Sequence, residues 1–232
     1  MISNELDIAP YRSRLASQGR VQVPAFLQEP SAQRLRDCLR NEVRWEPALR
    51  SDRPVPPQAA SAVDDEAQRQ ALLQLVYARA RDEFEFVFDR YRMLEARRDG
   101  LDPGLVLHVV VDFLNSEPFL AFARELTGDP QLRMVSAIAA RYRPGHFLKQ
   151  HSDSASDEDR AFAYVINLSR DWESDWGGLL QFTDAAGEVV DTFHPHWNSL
   201  SLFRVPQAHQ VSLVAPWARD DRYSITGWFR RR

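Results

Sequence analysis

Apolar residues return at two different periods along this chain, and the change falls near residue 130. Before it the period is helical. Ser31 stands where an N-cap belongs, ahead of Leu35, Cys38 and Leu39 at helical spacing. Over 68–88, Leu72, Leu73, Leu75, Val76, Ala78 and Phe84 predict one long amphipathic helix. Between these two, the proline-rich stretch 51–57 predicts an extended loop. Ser116 predicts a further helix start, with Glu117 and Pro118 in the first turn and Gly128 as the stop. From Gln131 onward the segments are short, rich in apolar residues and separated by turn residues. Strands are predicted over 132–142, 161–168, 179–183, 189–193, 199–204, 209–213 and 223–229, with Asp184-Ala185-Ala186-Gly187 as a hairpin turn. Short strands at such regular spacing suit a sandwich, barrel or jelly roll. No repeat, low-complexity segment or flexible linker interrupts the pattern. The expectation is one α+β domain over 1–232, with a mainly helical region over 1–130 supporting a β core over 131–232.

Composition narrows the function classes. With 44% hydrophobic residues, 13 Phe and 6 Trp, the 232-residue chain can build a sizeable core. The net charge is −4, and the only basic block is Arg230-Arg231-Arg232. Nucleic acid therefore has no electrostatic footprint, and the arginine tail reads as a solvated end. The single cysteine, Cys38, cannot form an internal disulfide, and its apolar helical setting predicts a buried, inert thiol. Residues 1–7 lack the basic and apolar regions of a signal peptide. The longest apolar stretch, 105–114, is broken by His108 and Asp112 and is too short to span a bilayer. These features predict a soluble, cytoplasmic protein without a membrane partner. Nothing in the pattern specifies an oligomeric state.

The candidate chemistry lies in the second half. His151 and Asp153 are two residues apart, so on a strand both side chains point to one face. His209 can close a third corner from another strand, and Arg222 follows within one hairpin's reach. Two imidazoles and one carboxylate form a facial triad suited to non-haem Fe(II), with positions left open. His-x-acid alone is cheap: 6 His and 33 acidic residues give about one match by chance. Context raises its value. Arg141-Tyr142-Arg143-Pro144-Gly145-His146-Phe147-Leu148-Lys149-Gln150 runs directly into His151-Ser152-Asp153. Downstream come Trp176-Gly177-Gly178-Leu179-Leu180-Gln181-Phe182, Asn198-Ser199-Leu200-Ser201-Leu202-Phe203, His209-Gln210-Val211, and Arg222-Tyr223-Ser224-Ile225-Thr226-Gly227-Trp228-Phe229.

In that order and spacing, the stretch from Leu132 to the C-terminus resembles the Fe(II)/2-oxoglutarate-dependent dioxygenases, in particular their prolyl-4-hydroxylase-like branch. The resemblance implies a double-stranded β-helix (a cupin-like jelly roll) with N-terminal supporting helices and the metal at one mouth. It implies His151, Asp153 and His209 as iron ligands, and Arg222 as partner of the distal carboxylate of 2-oxoglutarate. A planar guanidinium suits that role because it binds a carboxylate through two parallel hydrogen bonds. Ser224, on the same strand face, adds a hydroxyl. Tyr142 stands where the branch often places a tyrosine bonded to the co-substrate, and a core or rim tyrosine is an equal alternative. The implied cofactors are Fe(II), 2-oxoglutarate and O2, with ascorbate as an accessory. The implied reaction hydroxylates a C–H bond and releases succinate and CO2, with a prolyl residue of a protein substrate in first place. The alternatives are a free amino acid or small metabolite as substrate, or a metal-binding cupin-like protein without catalysis. A mere binding module needs no dicarboxylate anchor, so the triad together with Arg222 favours the enzyme.

The remaining candidates read as structural. His194-Pro195-His196 is a surface turn, since Pro195 breaks a regular strand. His146 reads as structural, and His108, in a helical apolar run, as a satisfied core histidine. Gly177-Gly178 is a tight turn into a strand rather than a phosphate loop. Asp157, Glu158 and Asp159 form a solvated loop or, as the sharper hypothesis, a mobile lid favouring a basic polypeptide. Neutralising all three should then raise the KM for substrate.

Overall fold

The computed structural model describes residues 1–50, 52, 65–154 and 159–232. The loop expected over 51–57, apart from Asp52, and residues 157 and 158 of the acidic run lie outside the described residues. In chain order the elements are α1 (Ala9–Gln18), β1 (Arg20–Val23), α2 (Glu29–Asn41), β2 (Glu46–Ala48), α3 (Glu66–Ala80) and β3 (Phe86–Tyr91). Next come α4 (Met93–Asp99), α5 (Val106–Leu114), α6 (Glu117–Thr127), β4 (Met134–Val135), β5 (Ile138–Tyr142), β6 (Phe147–His151) and β7 (Arg160–Asn167). A 3-10 turn (Ser174–Trp176), β8 (Leu180–Thr183), β9 (Val189–Phe193), β10 (Ser199–Arg204), β11 (His209–Val211) and β12 (Arg222–Arg230) complete it.

The strands form one rolled sheet in the order β1-β10-β7-β12-β5-β3-β6-β11-β8-β9, with β2 added to β3 and β4 to β12. Each of these pairings is antiparallel. β3 is the hinge of the roll, pairing with β5 on one side and β6 on the other. The two ends of the order meet again through Arg20 of β1 and Asp191 of β9, 2.7 Å apart. The result is a nearly closed antiparallel barrel, the jelly roll expected from the sequence.

Strand alternation sorts the side chains between two environments. On β7, Phe162, Tyr164 and Ile166 face outward and pack with Leu35, Leu39, Leu107 and Phe119 of the helices in the main core. Ala163 faces inward with Phe182 and Phe203. Inward positions are often small, as at Ala140, Ala163 and Gly227, and this leaves the barrel hollow. Both faces of β7 are therefore covered, which explains why its segment reads as an almost unbroken apolar run.

Several sequence expectations need correction. The helix predicted over 68–88 ends at Ala80, and its last residues enter β3. Phe84, Phe86 and Phe88 alternate at period two, a strand signal that a helical window absorbs. With β1 and β2, the N-terminal region thus supplies three strands to the sheet besides its helices. α2 starts at Glu29, two residues before Ser31, with Pro30 in its first turn. Ser116 does precede α6, but its hydroxyl donates to the Phe113 carbonyl at 2.7 Å instead of capping the helix. Gly128 closes α6 at φ +70°. The strand expected over 132–142 is split in two at Ser136, and β6 is a strand that the pattern did not separate. Cys38 is fully buried, and burial pushes its thiol up to about 11, as expected for an inert group. Among the described residues no single helix is long and apolar enough to cross a membrane.

Candidate active site

β6 and β11 run antiparallel in a register that places His151 directly opposite His209. Their ring centroids are 4.1 Å apart. Each Nδ1 faces the backbone carbonyl two residues earlier, Lys149 for His151 at 3.0 Å and Gln207 for His209 at 2.8 Å. With Nδ1–H donating to the carbonyl, each Nε2 keeps a free lone pair and a fixed direction. Asp153 is not on the strand, contrary to the simple i, i+2 argument. β6 ends at His151, and the chain turns through a left-handed Asp153 at φ +59°, a conformation aspartate tolerates better than most residues. The turn brings its carboxylate back to 3.3 Å from His151 Nε2 and 3.6 Å from His209 Nε2. One donor atom from each of the three lies within 4.8 Å of the others.

The electrostatics suit a metal. Burial, reinforced by the neighbouring His151, lowers His209 to about 4, so its imidazole is neutral at pH 7. Burial pushes the Asp153 carboxyl up, but the adjacent imidazoles of His151 and His209 outweigh it and hold it below its ordinary value. Two imidazole nitrogens and one carboxylate on one side of a small space can hold a divalent cation such as Fe(II) and leave its other positions open.

Arg222 opens β12 opposite Tyr142 of β5. It is 3% exposed, and burial lowers the pKa of its guanidinium. Among the described residues no carboxylate pairs with it. Nη2 makes one long bond, 3.5 Å, to Asn167 Oδ1, and Nε has no partner. Burying a cation without a counter-charge is costly, so this arrangement suits an anionic ligand. Tyr142 lies beside it, with its ring 5.2 Å from the guanidinium carbon and stacked on Phe88 at 5.0 Å. Burial raises the Tyr142 phenol, so it remains a neutral hydroxyl. Ser224 follows on the same strand and is fully buried.

Two further contributors escaped the sequence reading. Asn167 accepts from Arg222 and donates to the hydroxyls of Ser199 and Ser201 at 3.1 and 3.2 Å. The available signal was an asparagine inside the apolar run 161–168. Gly177-Gly178 is a turn, as expected, but one that also shapes the site. A Cβ on Gly178 would lie 3.2 Å from the Arg222 side chain, and one on Gly177 would meet the Leu213 carbonyl at 2.0 Å.

One cavity of about 600 Å³ reaches both ends and is lined by all six predicted site residues, His151, Asp153, His209, Arg222, Ser224 and Tyr142. One wall carries Phe84, just before β3, with Phe86 and Phe88 of β3, successive rings lying 5.8 Å apart. Another holds Trp228, with the Arg160 guanidinium 3.6 Å over its ring. The other histidines stay outside this cavity. His194 and His196 lie with ring centroids 5.0 Å apart, tilted to each other, in the loop between β9 and β10. His146 is buried and pushed down to about 3 by burial, and half-buried His108 bonds the Asp102 carbonyl at 3.0 Å. The arginine tail is tied down rather than simply solvated: Arg231 pairs with Asp129 at 3.0 Å and with Asp159 at 3.7 Å.

Residues 137–230 match the 2OG-Fe(II) oxygenase superfamily. The prolyl 3-hydroxylase OGFOD1 of Mus musculus is 31% identical over 120 residues, which cover 49% of this chain and 22% of that protein. The chain thus matches only about a fifth of that curated relative's length. A solved oxidoreductase of the 2OG-Fe(II) oxygenase family from Burkholderia pseudomallei aligns with TM-score 0.66 at 18% identity, covering 100% of this chain and 94% of that one. A prolyl hydroxylase from Trichoplax adhaerens, in complex with a hypoxia inducible factor peptide fragment, aligns with TM-score 0.63 at 15% identity, covering 95% and 87%. These two likenesses are of fold.

Proposed function

We propose that the chain is a 2OG-Fe(II) oxygenase of the prolyl-hydroxylase-like branch, a reading supported by the match of residues 137–230 to that superfamily and by the mouse relative, and that it hydroxylates a C–H bond, foremost of a prolyl residue in a protein or peptide. His151, Asp153 and His209 hold Fe(II). Arg222 takes the distal carboxylate of 2-oxoglutarate, with Ser224 adding a hydroxyl and Tyr142 closing the side of the pocket. When bound, the iron and 2-oxoglutarate supply the oxidising power, with O2 and 2-oxoglutarate becoming CO2, succinate and the oxygen of the new hydroxyl. The backbone carbonyls of Lys149 and Gln207 keep both imidazoles in the ligating tautomer. Tyr142 and Phe88 exclude water from the Arg222 end, so the carboxylate–guanidinium pair forms in a dry setting where it is strong.

The observation that carries this reading is the pairing, within one cavity, of a two-imidazole, one-carboxylate face with a buried guanidinium that has no counter-charge among the described residues. The prolyl assignment draws on the printed activity of the mouse relative and on the three-phenylalanine wall, since aromatic-lined grooves suit proline-rich segments. The test is anaerobic loading with Fe(II) and 2-oxoglutarate. Wild type should develop a visible metal-to-ligand charge-transfer band, and His151→Ala should not. Prolyl peptides, assayed with O2 and ascorbate, should then gain one oxygen by mass spectrometry. No band in folded, iron-loaded wild type would sink the proposal, while a band with no peptide product would move the substrate to a free amino acid or small metabolite.

A further inference from the structure

We infer that Lys149 is a positioning residue for the metal end of the site, an inference that rests on the reading of His151 as a metal ligand. Lys149 is the only lysine among 29 basic residues. It sits where β6 is poorly held. β3 pairs with β6 only at Phe86–Leu148 and Val87–Phe147, so that ladder stops before the ligand. On the other side, β11 pairs at Val211–Leu148 and His209–His151, with a register shift between them that skips Lys149.

Lys149 fills the gap with four bonds. Its amide donates to the Glu85 carbonyl at 3.1 Å. Its ammonium donates to the carbonyls of Ala80 at 2.7 Å and Glu83 at 2.6 Å, at the C-terminal end of α3 and just beyond it. Its own carbonyl accepts from His151 Nδ1 at 3.0 Å. An ammonium is a compact donor of three hydrogens and is favoured at a helix C-terminus, where unpaired carbonyls collect. Arginine's flat fork matches a carboxylate better than two separate carbonyls.

The segment gripped by the ammonium also carries Phe84, whose ring is 5.9 Å from that of His151. Lys149 therefore constrains His151 twice: its backbone carbonyl, which any residue would supply, fixes the tautomer, and its side chain, which the variants remove, holds the segment whose ring packs against His151. Outer-shell partners of metal ligands typically change metal affinity 10–100-fold when lost. A side chain that merely caps α3 would affect folding stability and leave the metal unaffected.

Co(II) serves as the probe. Its ligand-field bands and its dissociation constant are measured for wild type, Lys149→Met, Lys149→Arg and His151→Ala, beside the thermal stability of each metal-free protein. The expected result is His151-dependent binding in wild type, about tenfold weaker binding with shifted bands in Lys149→Met, and incomplete recovery in Lys149→Arg. Unchanged Co(II) affinity and bands in Lys149→Met would overturn the inference, whatever happens to its melting temperature. Because Lys149 bears the sole ε-amine, wild type offers a second measurement that needs no variant to fold. Acylation requires the ammonium to leave its two carbonyls, and with a slow acylating reagent the rate reads the population of that released state, so by linkage Co(II) should slow acylation of Lys149 in wild type and not in His151→Ala. An acylation rate indifferent to saturating Co(II) would equally overturn it. Failure of wild type to bind Co(II) through His151 would instead bring down the reading of the metal site itself.

Discussion

The two ends of the cavity are organised in opposite ways. At the His151 end the charges are settled: His209 is neutral, the Asp153 carboxylate is held ionised, and both imidazoles have Nδ1 on a backbone carbonyl. The backbone there is irregular, with a strand ending at His151, a register shift beside it and a left-handed Asp153. At the Arg222 end the backbone is regular, since Arg222 and Ser224 lie within paired β12 and face Tyr142 and Ala140 across it. There the charge is unsettled, because the guanidinium is buried with one long bond. One end is ready in protonation and relies on local staples for geometry. The other is ready in geometry and relies on its ligand for charge balance.

The sharpest way to break that comparison is at Arg222. Arg222→Lys keeps a charge and loses the fork, so the KM for 2-oxoglutarate should rise about thirtyfold, the worth of one charge-assisted hydrogen bond of ~2 kcal/mol. Arg222→Met should abolish stabilisation by 2-oxoglutarate in thermal melts and leave the ligand-free protein at least as stable, because it removes an uncompensated buried charge. A ligand-free Met variant that melts well below wild type would mean Arg222 is satisfied by the protein alone.

A smaller effect concerns acid. His146, buried just before β6, has a pKa lowered from 6.5 to about 3 by burial. The unfolded chain therefore takes up the proton first. The contribution of neutral His146 is full above pH 6.5 and is lost as pH falls from there toward 3, at up to ~1.4 kcal/mol per pH unit. Urea unfolding between pH 6.5 and 4.5 should show a shallower pH dependence in His146→Leu than in wild type. Equal slopes would show that His146 is protonated without penalty in the folded state. The smallest effect is expected at Asn167→Ala. Its 3.5 Å bond to Arg222 is long, so the KM for 2-oxoglutarate should rise only about fivefold, ~1 kcal/mol. A change as large as that of Arg222→Lys would make Asn167 a co-equal part of the anchor.

Legibility followed the range of the interaction. Most strands of the second half are readable as short apolar runs between turn residues, because a barrel with a lined interior and a helix-covered exterior buries both of their faces. β3 was not readable, because its phenylalanines lie beside a helical segment and declare themselves a strand only by pairing with β5 and β6. The six site residues were named from motif order and type, and all six line the cavity. Asn167 and Lys149 were missed because each acts through a partner distant in the chain: Arg222 for Asn167, and Ala80 and Glu83 for Lys149.

The sequence by itself determined the inventory: which residue types were available, the order in which they come, and the periods that assign them to helices or strands. Those properties are local, and local sterics and hydrophobic period suffice to express them. Tertiary structure alone decided that β6 and β11 align His151 with His209, that a left-handed turn returns Asp153 to both, and that Arg222 is buried with no counter-charge among the described residues. Each of these depends on pairing and burial between segments far apart in the chain, and the free energy that selects them exists only once the barrel has closed.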